Sequence, residues 1–346
     1  MRPASRAPDN IGVEITETAV RSSWIKMSRE EWRAYFALSH LSWGVTALVM
    51  LATVATVLMS PLKFSGALIP LEAVIGLGFG ILFLFYANVR KDPFIVILSN
   101  GIALSATFRI VAGFFSYTAQ FWGRAFPLRD AVLARADQGL GFDWVASLVW
   151  QNQHPLLAEL LNSAYSSPVF QFVALLAAQF VFTSVRRFQL LILSSQMAAL
   201  ATSLLAGLLP ALGAYSFFKV TPGVHQGIAL ATMNQHVADI LSLRGADPVL
   251  PFEAIQGIVT FPSYHAALGV LLIWAAWPHP VLRWISIVLN LALITATPLS
   301  GAHYIVDVIA GFCVACLALW VATTVARKID VREGVLAQSQ PVGILA

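Results

Sequence analysis

Two short segments set titratable side chains at the heads of apolar runs. The first is Thr260-Phe261-Pro262-Ser263-Tyr264-His265, which leads into Ala266-Ala267-Leu268; the second runs from Ser300 through His303 and Tyr304 to Asp307 and into the last apolar run. His303 and Asp307 are four residues apart, so on a helix they share one face, and the carboxylate can hold one imidazole nitrogen while the other points outward. A histidine held in this way is a competent nucleophile, because the carboxylate fixes the tautomer and stabilises the imidazolium that forms on attack. Phosphorus is a natural target. His265 could protonate a leaving alkoxide, while Ser263 and the N–H groups of a helix start could bind phosphoryl oxygens. Either histidine alone reads better as an interfacial polar residue that satisfies a helix end. The two on one side, with Asp307, favour chemistry.

The elements that position these residues are membrane helices. Of 346 residues, 58% are hydrophobic and 11% charged, where a soluble domain carries about 25% charged residues. Mean hydropathy is +0.76, which excludes a soluble enzyme and leaves no case for a nucleic-acid partner. Apolar runs occur at 34–59, 65–88, 94–118, 167–184, 188–212, 264–278, 281–299 and 303–325, each bounded by charge, Pro or Gly. The expected fold is therefore all-α, a polytopic membrane bundle of about eight transmembrane helices. Phe261 and Pro262 lengthen the short run from 264, with the proline suited to a first helical turn. The polar stretch 1–32 lacks the apolar core and cleavage site of a signal peptide and reads as a cytoplasmic tail.

Charge sets the sidedness. With the first tail inside and eight crossings, 14 of the 21 basic residues fall on the inner side and 6 on the outer, with Arg109 inside the third span. That asymmetry favours the orientation over its mirror image. The loops 119–163 and 213–260 then face outward, which in a bacterial inner membrane is the periplasm. In the first of them Leu128, Val132, Leu133, Ala136 and Leu140 recur at helical spacing, the pattern of an outer interfacial helix. Such a helix either covers the ends of the spans or forms a lip that guides a lipid headgroup.

Pro262-Ser263-Tyr264-His265 followed, one span later, by His303-x3-Asp307 resembles the second and third motifs of the type 2 phosphatidic acid phosphatase superfamily. His-Tyr-x2-Asp-Val-x-Ala-Gly at 303–311 and Asp137-x2-Leu140-Gly141-x-Asp143-Trp144 resemble its inositol phosphorylceramide synthase branch. The resemblance implies a phosphohistidine at His303, an orienting role for Asp307 and a general acid at His265. It implies a membrane phospholipid or sphingolipid substrate and no metal or other cofactor. It also implies a division of the chain: two additional helices over 33–93, a six-helix lipid phosphatase or phosphotransferase domain over 94–326, and a second cytoplasmic tail over 327–346.

The chain departs from the superfamily at its cations. Ala296 and Thr297 stand where a Ser-Arg pair is expected, and no Lys-x6-Arg-Pro motif is present. A phosphoryl group gathering charge still needs positive partners, for which the loop before the second motif offers Arg244 and Lys219. Arg244 is the better placed; its alternative reading is a solvated loop arginine. The gap bears on substrate, since a diester carries one negative charge and needs fewer cations than a monoester dianion. A diester donor is thus favoured over a monoester, and the resemblance implies transfer of a polyol-phosphate headgroup to an alcohol, with a lipid phosphatase as the alternative.

Other polar residues carry less. Arg109 must face the bundle or snorkel. Gly76, Gly78 and Gly80 form a packing stripe rather than a nucleotide loop. His225, His236 and Asp239 lack metal-ligand spacing, and Cys313 and Cys316 read as packing residues. A serine protease built on Ser300 and His303 has no evident dyad, and a transporter using Arg109 would place its site near the midplane.

Overall fold

A computed structural model describes residues 27–65, 70–182, 185–220, 230–251 and 257–336. Most of the first tail and the end of the second, with His225, lie outside these. The helices are α1 (Arg29–Leu58), α2 (Leu71–Phe85), α3 (Pro93–Trp122), α4 (Asp130–Gly139), α5 (Trp144–Asn152), α6 (Pro155–Tyr165) and α7 (Pro168–Phe182). They continue with α8 (Val185–Leu208), α9 (Ala214–Phe217), α10 (Leu230–Arg244), α11 (Tyr264–Ala276), α12 (Pro280–Ser300) and α13 (Ile305–Arg332). Two three-residue strands, β1 (Lys63–Ser65) and β2 (Val249–Pro251), pair in parallel beside them. The starts follow local chemistry. Ser28 and Glu31 close a reciprocal capping box on α1, and Asp92 caps α3 ahead of Pro93.

The chain is an all-helical integral membrane protein. Among the described residues six helices are long and apolar enough to cross a bilayer, and α6 with α7, bent by 51° at their junction, make a seventh where the pair is counted as one span. Each of the eight apolar runs coincides with a helix. The run from 264 is the short one: α11 has 13 residues, about 20 Å at 1.5 Å per residue, against a hydrocarbon core of about 30 Å. Pro262 does not lengthen it. The proline precedes the helix, and Ser263 is the capping residue, its hydroxyl accepting from Ala266 N–H.

The main core is built where α1, α3, α8, α11 and α13 meet, around Tyr35, Ile97, Phe188, Leu191, Leu271, Leu272 and Ala315. Polar side chains also tie α1 into it. Asn100 donates to Tyr35 Oη at 2.9 Å and Ser39 Oγ at 3.1 Å, and accepts from Trp43 Nε1 at 2.9 Å. By contrast α2 lies against α3 and leaves most of its apolar surface outside. Arg109 of α3 is paired with Glu72 of α2, so neither charge stands alone beside lipid. At the end of the bundle where α11 and α13 finish, Arg186 pairs with Asp330. Arg187 there donates to the last carbonyls of α11, at Trp274 and Ala275, and lies 4.1 Å from the centre of the Trp274 ring.

Candidate active site

The two chemistry-bearing segments meet at the opposite end of the bundle, at the heads of α11 and α13. Ser263 N–H donates to the main-chain carbonyl of Asp307 at 3.0 Å. Backbone therefore fixes one segment to the other. Gly311 makes this approach feasible: a Cβ there would stand 2.3 Å from the Ser263 carbonyl oxygen.

Around that joint the side chains take a defined order. His303 Nδ1 lies 3.2 Å from Asp307 Oδ2, which also accepts from Tyr304 N–H at 2.8 Å. The other ring nitrogen, Nε2, is 3.5 Å from Ser263 Oγ. Asp307 and Ser263 are fully buried and His303 is 4% exposed, so bulk water has little access to the imidazole. Burial pushes the His303 imidazole down to about 4, with a hydrogen bond to Thr260 backbone acting in the other direction. At neutral pH it is unprotonated, as a nucleophile must be.

His265 sits on the first turn of α11, two residues past Ser263. Its ring is stacked on Tyr165, with centroids 4.4 Å apart and planes at 22°, and its Nδ1 is 3.3 Å from Tyr165 Oη. Tyr165 ends α6, at the break with α7. Gly301 links the two histidine environments, because a Cβ at that position would lie 2.5 Å from Tyr165 Oη and 2.8 Å from His303 Cδ2.

A third histidine reaches the same end. His236 of α10 lies 3.0 Å from Thr260 Oγ1. That hydroxyl donates to Ala211 carbonyl at 2.9 Å, so the histidine is the donor in their shared bond. Burial, and secondarily the neighbouring His303, push it down to about 4.

The outer helix α4 has a more specific place than a cover or a lip. Its apolar stripe, Leu128, Val132, Ala136 and Leu140, points outward, and its buried face carries Asp130, Leu133, Ala134 and Asp137. Asp137 accepts from the N–H groups of Ile305 (2.8 Å) and Val306 (3.0 Å), capping α13 from another helix. Asp130 accepts from Leu212 and Gly213 N–H and from Tyr304 Oη at 3.1 Å. Trp144, heading α5, donates from Nε1 toward the carbonyls of Pro298 (3.1 Å) and His303 (3.2 Å). The His303 loop is thus gripped from both sides by the 130–144 segment.

The predicted site residues divide into two groups. His303, Asp307, Ser263 and His265 come together. Arg244 closes α10 and donates from Nη2 to Phe126 carbonyl at 2.7 Å, while its buried Nη1 has no partner among the described residues. Lys219 is exposed, in the left-handed region at φ 55°. Neither bonds to the other four. Thr297, at a missing cation position, donates to Leu293 carbonyl within α12. Ser300 makes no bond to His303, and its buried hydroxyl has no partner among the described residues, which removes the protease dyad. No group of three His, Cys, Asp or Glu among the described residues is placed to hold a metal ion. Tyr165, Asp130 and the grip of Trp144 come from packing between segments distant in sequence.

A family model described as the PAP2 superfamily matches residues 131–321. That stretch starts inside α4 and ends inside α13, enclosing Ser263, His265, His303, Asp307, Tyr165 and Asp137 but not Asp130. No curated protein and no solved structure matches the chain.

Proposed function

The chain belongs to the PAP2 superfamily, and from that premise we propose that it is a lipid phosphotransferase that moves a phosphate-linked headgroup through a phosphohistidine at His303. The superfamily fixes the coarser description: a membrane-embedded phosphatase or phosphotransferase with histidine catalysis and a lipid phosphate substrate. Headgroup transfer, of the kind made by inositol phosphorylceramide synthases, is the finer reading.

The placement of the side chains supports each step. Asp307 holds Nδ1, so Nε2 carries the lone pair that attacks phosphorus. As the N–P bond forms and the P–O bond to the leaving group breaks, a proton passes from His265 to the leaving oxygen. An acceptor hydroxyl then returns a proton to His265, its oxygen bonds to phosphorus, and the N–P bond breaks. Ser263 and the N–H groups heading α11 are set to hold phosphoryl oxygens. Arg244, with one unpartnered nitrogen, and Lys219 supply positive potential from the 213–260 segment.

The observation that carries transfer of a diester is the charge around His303. Three buried acidic side chains, Asp130, Asp137 and Asp307, surround its loop. Among the described residues no cationic side chain bonds to the four-residue group. With no cation bonded there, a second negative charge in a poorly solvated site is costly, so a dianionic monoester is disfavoured relative to a singly charged diester. Low exposure of His303 acts in the same direction. To outcompete about 55 M water, an acceptor alcohol must be held in attack geometry in a dry site, where effective molarities can reach 10⁵ M or more.

The orientation follows from the basic residues. Arg186, Arg187, Arg283 and Arg327 belong to the end opposite the histidines, which by the positive-inside tendency faces the cytoplasm. The site then opens to the outer side, the periplasm in a bacterial cell.

The test is to give purified protein phosphatidylinositol and phosphatidic acid, each with and without ceramide or diacylglycerol. Headgroup transfer from the diester is expected to exceed phosphate release from phosphatidic acid. Rapid phosphate release with no transfer to either acceptor would leave a lipid phosphatase and end the transferase reading.

A further inference from the structure

We infer that Tyr165 is the positioning residue of the general acid, holding His265 through the leaving-group step and the acceptor step. The inference rests on the reading of His265 as acid and then base. Its own footing is geometric: the phenol oxygen lies 3.3 Å from Nδ1 and the rings are stacked at 4.4 Å. Among the described residues this is the one hydrogen bond of the His265 ring, which leaves Nε2 as the nitrogen for the leaving oxygen.

The two histidines consequently have different partners, and the difference suits different tasks. His303 is backed by a carboxylate, which stabilises positive charge on the ring and makes the other nitrogen a better nucleophile. His265 is backed by a neutral phenol. A carboxylate there would hold the proton on the ring and weaken the acid. A hydroxyl can accept from Nδ1–H when the ring is protonated and donate to Nδ1 when it is neutral. It therefore keeps the ring oriented in both half-reactions without fixing its charge.

The fold places Tyr165 for this role. It is the last residue of α6, which packs along α12, and its hydroxyl lies at the Gly301 position beside His303. A side chain at 301 would occupy that space, since its Cβ would be 2.5 Å from the phenol oxygen.

The test uses leaving groups. Tyr165→Phe keeps the stacked ring and removes the hydroxyl. With phosphatidylinositol, or with phosphatidic acid if wild type prefers it, the leaving group is a poorly stabilised alkoxide that needs a proton. With the matching p-nitrophenyl ester it is a phenolate that needs none. We expect Tyr165→Phe to lower kcat on the lipid by about 10- to 100-fold, a part of the range for general acid catalysis, with KM unchanged and almost no loss on the nitrophenyl ester. The ratio of the two rates within one preparation is independent of how much of the variant folds. Equal losses on both donors would show a merely structural tyrosine, and no loss on the lipid would show no role; either overturns the inference. A wild-type protein that forms no phosphohistidine from any donor overturns the proposed function itself, and the inference with it.

Discussion

Ser263 N–H donates to the carbonyl oxygen of Asp307 at 3.0 Å, joining two helix heads that are 44 residues apart in the chain. The bond sets the distance from the Ser263 hydroxyl and the following His265 to the His303–Asp307 pair. It exists because α13 passes Ser263 at Gly311, where a Cβ would stand 2.3 Å from backbone oxygen. Backbone cannot rotate aside as a flexible side chain can. Gly311→Val should push the two heads apart and lower turnover at least about tenfold, in keeping with the steep dependence of rate on small misplacements. Gly269→Ala is the control, since its nearest neighbour is a side-chain carbon of Ile294 at 3.3 Å. Assays of both variants in detergent check this; wild-type turnover by Gly311→Val would show that the contact does not set the site.

Asp137 binds the Ile305 and Val306 N–H groups with its two oxygens and is buried. Asp137→Ala leaves both donors unpaired, at a cost of about 1–3 kcal/mol for a buried group, whereas Asp137→Asn keeps one acceptor. Unfolding midpoints should fall in the order wild type, Asn, Ala, and the catalytic rates should follow. Alanine as stable as asparagine would contradict the capping role.

His303 and His236 are both pushed down to about 4 by burial, against about 6.5 in an unfolded chain. Between those values the unfolded state binds more protons, so stability is full above about pH 6.5 and declines as pH falls toward 4. Each histidine contributes a slope of up to about 1.4 kcal/mol per pH unit. Comparing unfolding midpoints at about pH 7.5 and about pH 5 should show the loss, and His236→Gln should remove part of it. A slope unchanged in His236→Gln would mean that this ring is not held neutral.

The spans and the joined heads of α11 and α13 were legible in the sequence because both are local. Runs of apolar residues and an i, i+4 His-Asp pair need no knowledge of what packs on them. The outer helix was legible as a helix, but its function was not. Its apolar stripe is the local signal, whereas its work is done by Asp130 and Asp137 on the other face, whose partners lie more than 80 and 160 residues away. His236 has no metal-ligand spacing in the sequence, yet α10 brings it to Thr260. Tyr165 gave no local signal, since a tyrosine near a predicted interface is commonplace. Its contact depends on the packing of α6 along α12. Pro262 gave a misleading one: the proline lies ahead of the Ser263 cap, not in the first turn.

The central claim is that the phosphoryl group passes through His303. Rapid quenching of the purified protein with a ³²P-labelled donor, followed by peptide mapping, tests it most directly. An acid-labile, base-stable label should appear on the peptide containing His303 within one turnover. It should be absent from His303→Ala, and form about 10²- to 10⁴-fold more slowly in Asp307→Asn, where the nucleophile stays but its charged partner is gone. Label on a different residue, or wild-type turnover by His303→Ala, would contradict the account.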